Sequence, residues 1–125
     1  MKNRNKFILI AILFALIVYG YRNIFTDDMI VGTYVNTNFE NAPVIAELPN
    51  KADTLVLYRD SKFKSSHWGT GTFKLAHSLS GTKIKLRYQY IYGIAGVSAK
   101  IERLNWRQLV IILNEDFNQY YRKID

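Results

Sequence analysis

Cysteine is absent from the 125 residues, and proline and histidine occur only twice each. Without cysteine there are no disulfides, no thiolate metal sites, no thiol nucleophile and no lipidated N-terminal cysteine. A domain exported from the cytoplasm would then rest on its apolar core alone. Two histidines, His67 and His77, lie ten residues apart in or beside different strand-like runs. A zinc site would need a third ligand such as Asp60 or Glu115, and no spacing enforces it. No metal and no cofactor is expected. Catalytic signatures are also missing: no Gly-x-Ser-x-Gly, no Gly-rich phosphate loop and no paired carboxylates. Ser65 and His67 share a face of an extended strand, but ~7 Å separates such positions, which precludes a direct hydrogen bond. A non-enzymatic chain is expected.

The formal net charge is +7. Three of the seventeen cations, Lys2, Arg4 and Lys6, precede the first apolar run, which leaves fourteen against ten acids from Tyr21 onward. A nucleic-acid binder concentrates cations in one block or on one face. Here they are spread through the strand-like segments, so no nucleic-acid partner is expected.

Residues 7–18 are an unbroken apolar run, extended by Tyr19-Gly20-Tyr21 and stopped by Arg22-Asn23. A basic flank before such a run marks an anchor or a signal, with the N-terminus in the cytoplasm. Fifteen helical residues span about 22 Å, less than the ~30 Å hydrocarbon core, and snorkelling by Lys6 and Arg22 with interfacial Tyr19 and Tyr21 closes the gap. A signal peptide cleaved near Gly20 is the alternative, although no Ala-x-Ala site is present. Nothing polar interrupts the run, so a soluble amphipathic helix is not expected. Residues 1–25 therefore read as the anchor or signal, and 26–125 as a domain in the periplasm or outside the cell.

That domain shows the grammar of a β-meander. Strands are expected at 30–36, 54–58, 62–67, 69–75, 82–92, 97–102, 107–113 and 119–124, and residues 37–51 form a long loop. Within the loop Val44-Ile45-Ala46, beside Pro43, fits a short edge strand. A turn is expected between Gly93 and Gly96, and no helix after residue 25. The clearest alternation is Ile84, Leu86, Tyr88, Tyr90 and Tyr92 against Lys83, Lys85, Arg87 and Gln89, which means one face buried and one wet. About eight strands at this spacing predict an all-β, up-and-down antiparallel meander closing into a small barrel, preceded by one N-terminal apolar helix.

The order of motifs resembles small bacterial lipocalin-like domains of the calycin type. Gly32-Thr33-Tyr34 resembles their first-strand Gly-x-Trp, with Tyr for Trp. Leu55-Val56-Leu57, Phe63, Gly71-Thr72-Phe73 and Gly81-Thr82-Lys83-Ile84-Lys85-Leu86 resemble their repeating strand pattern. Tyr120-Tyr121-Arg122 resembles the closing strand, whose basic residue packs near the first-strand aromatic. The resemblance covers residues 30–125 and implies a barrel just wide enough for side chains or one small ligand.

Three groups of side chains are candidates for function. Tyr88, Tyr90 and Tyr92, with Phe73, Trp68 and Trp106, either line a pocket for a flat apolar ligand or fill the barrel. Tyr34, Tyr120 and Arg122 either converge on an anion or stack to seal one end. Lys62, Lys64, Lys74, Lys83, Lys85 and Arg87 form one outer stripe if the register aligns them, facing anionic lipid or an acidic polymer, or simply keep the surface soluble. The expected function is non-catalytic binding of a small apolar or acidic ligand by a membrane-anchored envelope protein. The alternative is a structural module with a filled barrel that docks another envelope protein. A cavity at one rim favours the first, a barrel centre packed by Tyr88, Tyr90 and Phe73 the second.

Overall fold

A computed structural model of the chain describes residues 2–40 and 48–125. Eight antiparallel strands form a closed barrel in sequence order: β1 (Gly32–Thr37), β2 (Thr54–Leu57), β3 (Lys62–Ser65), β4 (Gly69–Ser78), β5 (Gly81–Tyr90), β6 (Gly93–Leu104), β7 (Gln108–Asn114) and β8 (Gln119–Lys123). β1 closes on β8 through Tyr34↔Lys123 to Thr37↔Tyr120, which leaves no open seam between first and last strands. Each connection is a hairpin except the longer β1–β2 link. The Val44-Ile45-Ala46 segment lies outside the described residues.

Two helices precede the barrel. α1 (Lys2–Asn23) takes in the basic flank and the terminal Arg22-Asn23 as well as the apolar run. Its 22 residues extend about 33 Å, so by length and composition it can cross a membrane. Residues 2–17 are all exposed. α2 (Asp27–Ile30) is a single turn, a helical element the strand periodicity does not announce. Its Ile30, and Phe25 just before it, are fully buried in the barrel core.

The interior follows from alternation. Inward positions are Tyr34 on β1, Leu55 and Leu57 on β2, Phe63 on β3, Phe73 on β4, Ile84 and Leu86 on β5, Ile101 on β6, Leu109 and Ile111 on β7 and Tyr121 on β8. Outward positions on the same strands carry most of the lysines, as period-two patterning requires. Gly71 is the exception that lets a ring fit. A Cβ there would lie 2.0 Å from the Arg87 carbonyl and 2.7 Å from Cε1 of Phe63, so the Phe63 ring occupies the space a side chain would take.

The barrel has two distinct ends. The near end receives α1 and contains the turns around residues 58–61, 79–80 and 105–107. The far end contains the two described ends of the β1–β2 link, the turn at 66–68, the β5–β6 turn and the turn at 115–118. The β5–β6 turn departs from the sequence expectation. It consists of Ile91 and Tyr92, and pairing starts again at Tyr90↔Gly93. Gly93 takes φ 135°, the turn-closing conformation that β-branched residues avoid, whereas Gly96 sits inside β6 opposite Arg87.

Candidate functional site

The side chains expected to form an inward aromatic row divide between core and solvent. Phe73 is buried and Tyr88 is half-buried against the core. Tyr90 is 51 % exposed and Tyr92 87 % exposed. The register explains this: β4 joins β5 only from Gly71↔Tyr88 onward, so the β5–β6 hairpin runs past the barrel wall as a two-stranded ribbon. Its tip is apolar, with Ile91 92 % exposed and the Tyr90 and Tyr92 rings 6.0 Å apart. Trp68 is buried at the far end, 5.8 Å from the Tyr121 ring and 6.3 Å from the Tyr88 ring, whereas Trp106 is exposed at the near end. The tryptophans therefore share no pocket.

The trio Tyr34, Tyr120 and Arg122 is also divided, by one-residue alternation. Tyr34 points inward and donates its hydroxyl to the Ile30 carbonyl at 2.7 Å. Burial, and secondarily the charge of Asp125, push its phenol well above the usual tyrosine range. Tyr120 and Arg122 lie on the outside, opposite Thr37 and Val35. The basic residue opposite Tyr34 is Lys123, not Arg122. Its Nζ donates to the Met29 carbonyl at 3.1 Å and helps to shut the near end.

A buried polar cluster at the far end escaped the sequence reading. Asp53 accepts from the Ser65 hydroxyl at 2.7 Å, the Ser66 N–H at 2.7 Å, the His67 N–H at 3.3 Å and the Tyr121 hydroxyl. Asn36 accepts from the Asp53 N–H at 2.8 Å and donates to the Lys51 carbonyl at 2.7 Å. Gln119 donates to the Pro49 carbonyl at 2.8 Å. Burial comes first, and Asp53 second, in raising the Tyr121 phenol far above its ordinary value. The cluster ties the end of the β1–β2 link, the 66–68 turn and β8 together. Among the described residues no buried side-chain oxygen or nitrogen lacks a partner, so the cluster acts as a clasp between these elements. The one hint in the sequence was parity: Ser65 falls on the same inward face as Phe63.

The lysine stripe is assembled. β3, β4 and β5 are neighbours, and Lys62, Thr72 and Arg87 form one outward row, Lys64 with Thr70 a second, and Lys74 with Lys85 a third. Lys83 faces Lys100 on β6. All six side chains of the stripe are exposed. Among the described residues only Lys62 of the six meets a carboxylate within 4 Å, Asp60 at 3.8 Å. Lys100 is taken by Glu102 at 3.1 Å. Directly opposed like charges such as Lys74 and Lys85 repel. Beside them an open hollow of about 600 Å³ is lined by Tyr58, Asp60, Lys62, Lys64, Thr70 and Thr72, with Phe63 and Gly71 at its base.

His67 lies at the far end and His77 at the near end, where its Nδ1 is 3.1 Å from the Thr82 hydroxyl. Among the described residues no group of three or more metal-ligating side chains is gathered. The architecture defines a class, an eight-stranded up-and-down barrel behind an apolar N-terminal helix. No family model, curated protein or solved structure matches the chain.

Proposed function

We propose that this chain is a single-span membrane-anchored protein of the cell envelope. In this reading its N-terminus lies in the cytoplasm, and its lipocalin-like barrel stands outside as a non-catalytic docking module for an acidic surface of another envelope protein. The supporting observation is the contrast between a filled interior and a cationic wall in which only Lys62 of six cations meets a carboxylate among the described residues. Phe63, Phe73, Ile84, Leu86 and Tyr121 occupy the space a small ligand would need. The outward cations of β3–β5 face solvent with Lys74 set against Lys85. An acidic partner relieves that repulsion, and a wall of one sign steers its approach. Retention of α1 is supported by the hydrogen bonds that Tyr19 and Tyr21 donate to the barrel, which cleavage near Gly20 would remove in part.

Lysine-directed cross-linking in the native membrane, read by mass spectrometry, tests this. Cross-links from Lys64, Lys74 and Lys85 to a protein with an acidic surface are expected, and their yield should fall as salt rises. Lys85→Gln should weaken the complex while leaving the barrel as stable or a few tenths of a kcal/mol more stable, because it removes a cross-strand repulsion. A complex indifferent to Lys74→Glu and Lys85→Glu would refute the reading.

A further inference from the structure

The near end of the barrel carries residues that a solvated turn does not favour. Leu79, in the two-residue turn between β4 and β5, is 93 % exposed. Trp106, in the β6–β7 turn, is about half exposed. Asn105 and Trp106 have φ 52° and 67°, the two left-handed positions of a type I′ hairpin turn, a slot suited to Asn-Gly. A bulky ring at the second position is strained, and its exposure means that burial within the protein does not compensate.

Both turns are held level with the last turn of α1. Tyr19 donates its hydroxyl to the Leu79 carbonyl. Tyr21 donates to the Trp106 carbonyl at 2.6 Å, and the Arg22 guanidinium lies 4.8 Å from the centre of the Trp106 ring. Arg103 Nε donates to the Tyr21 carbonyl at 2.9 Å and its guanidinium lies 4.2 Å from the Tyr21 ring centre. At the same end an open hollow of about 500 Å³ is lined by Met29, Arg103, Arg107, Leu109, Lys123 and Ile124, among others. Asp125 also borders it, but accepts from the Thr33 N–H at 2.7 Å.

We propose that this end is a second membrane contact. Leu79 and Trp106 sit in the interfacial layer beside α1, and Arg103, Arg107 and Lys123 meet anionic lipid headgroups. The inference rests on the reading that α1 spans a bilayer. The occupant is then the same bilayer, because groups hydrogen-bonded to Tyr19 and Tyr21 share their depth. Tryptophan and tyrosine favour the headgroup level, and cations beside an anionic leaflet are attracted to it. The contact is separate from the lysine wall on β3–β5.

The absence of cysteine makes the test direct. Single nitroxide labels are placed by Phe14→Cys, Leu79→Cys, Ser80→Cys, Trp106→Cys and Ile91→Cys in the full chain, reconstituted in vesicles of phosphatidylcholine and phosphatidylglycerol. Ser80→Cys reports on the same rim if Trp106→Cys disturbs its turn. The labels at 14, 79, 80 and 106 should relax more with oxygen than with a water-soluble nickel chelate, and the label at 91 the reverse. Arg107→Glu with Lys123→Glu should shift the 79 and 80 labels toward water in the mixed vesicles and not in pure phosphatidylcholine. Lipid exposure at 14 with the rim labels in water would overturn this inference and leave the anchor standing. Water exposure at 14 would overturn both.

Discussion

Tyr121 is the side chain on which the far end converges: its ring packs on Trp68 and its hydroxyl meets Asp53. Tyr121→Phe keeps the ring and removes the donor, leaving one Asp53 oxygen with Ser65 alone. A hydrogen bond to a carboxyl group is worth ~1.5–3 kcal/mol. We expect a loss of that size, read as a fall in the midpoint of thermal unfolding by circular dichroism. Tyr121 and Tyr34 also set an alkaline limit. Their phenols are raised above 10.0 in the fold, so above that pH the unfolded chain releases protons first. The contribution of these two phenols should therefore be constant below about pH 9, and stability should fall as the pH rises through 10 and beyond. Tyr121→Phe should flatten that fall, and an unchanged slope would count against the assignment. The sequence shows this tyrosine but gives no sign of its role. Tyr120-Tyr121-Arg122 advertises its ends, whereas strand parity turns Tyr121 inward and Arg122 to solvent.

Strands β2 to β5 were legible because alternation is local. Lys83 to Leu86 declares its two faces without help from the rest of the chain. What alternation cannot reveal is where a neighbouring strand stops. Tyr90 keeps the parity of Leu86 and Tyr88, yet it is exposed because β4 does not reach it. The same limit hid the β5–β6 turn, since two glycines look alike in sequence and only Gly93 closes the turn. Gly71 is the critical small residue of the β3–β4–β5 sheet. Gly71→Ala forces a methyl group against the Arg87 carbonyl and the Phe63 ring. Because one obstacle is backbone, the cost should reach or exceed the ~1–3 kcal/mol typical of overpacking. A parallel set of thermal melts would check it, with Thr72→Ala on the outer face as a near-neutral control.

At the scale of the whole chain, closure of the sheet and the N-terminal helix were both readable, the first from strand count and spacing and the second from the uninterrupted apolar run. The joint between them was not. It depends on Phe25, which lies next to the apolar segment in sequence but inside the barrel in space. Its N–H reaches the Thr82 hydroxyl at 3.3 Å, and that hydroxyl donates to the Asn23 carbonyl at 2.6 Å. Phe25→Ala should cost ~3–5 kcal/mol, a loss out of proportion to a linker position and measurable by denaturant unfolding of the full chain in detergent. The clasp formed by Asp53, Ser65 and Tyr121 was hidden for a related reason. Its members come from a loop end and two strands far apart in sequence, and only barrel closure brings β8 beside β1.

The bonds from Tyr19 and Tyr21 to the turns at Leu79 and Trp106, and from Thr82 on β5 to the Asn23 carbonyl, also have a mechanical meaning. A helix fixed at its end by several hydrogen bonds, with only residues 24–26 before the next turn of helix, is a lever arm with no elbow. If α1 lies across a bilayer, a thinner or thicker hydrocarbon layer changes its tilt. The barrel would then turn by the same angle, and the Ile91-Tyr92 tip at its far end would move with it. Membrane thickness would thereby be converted into the position of an apolar fingertip.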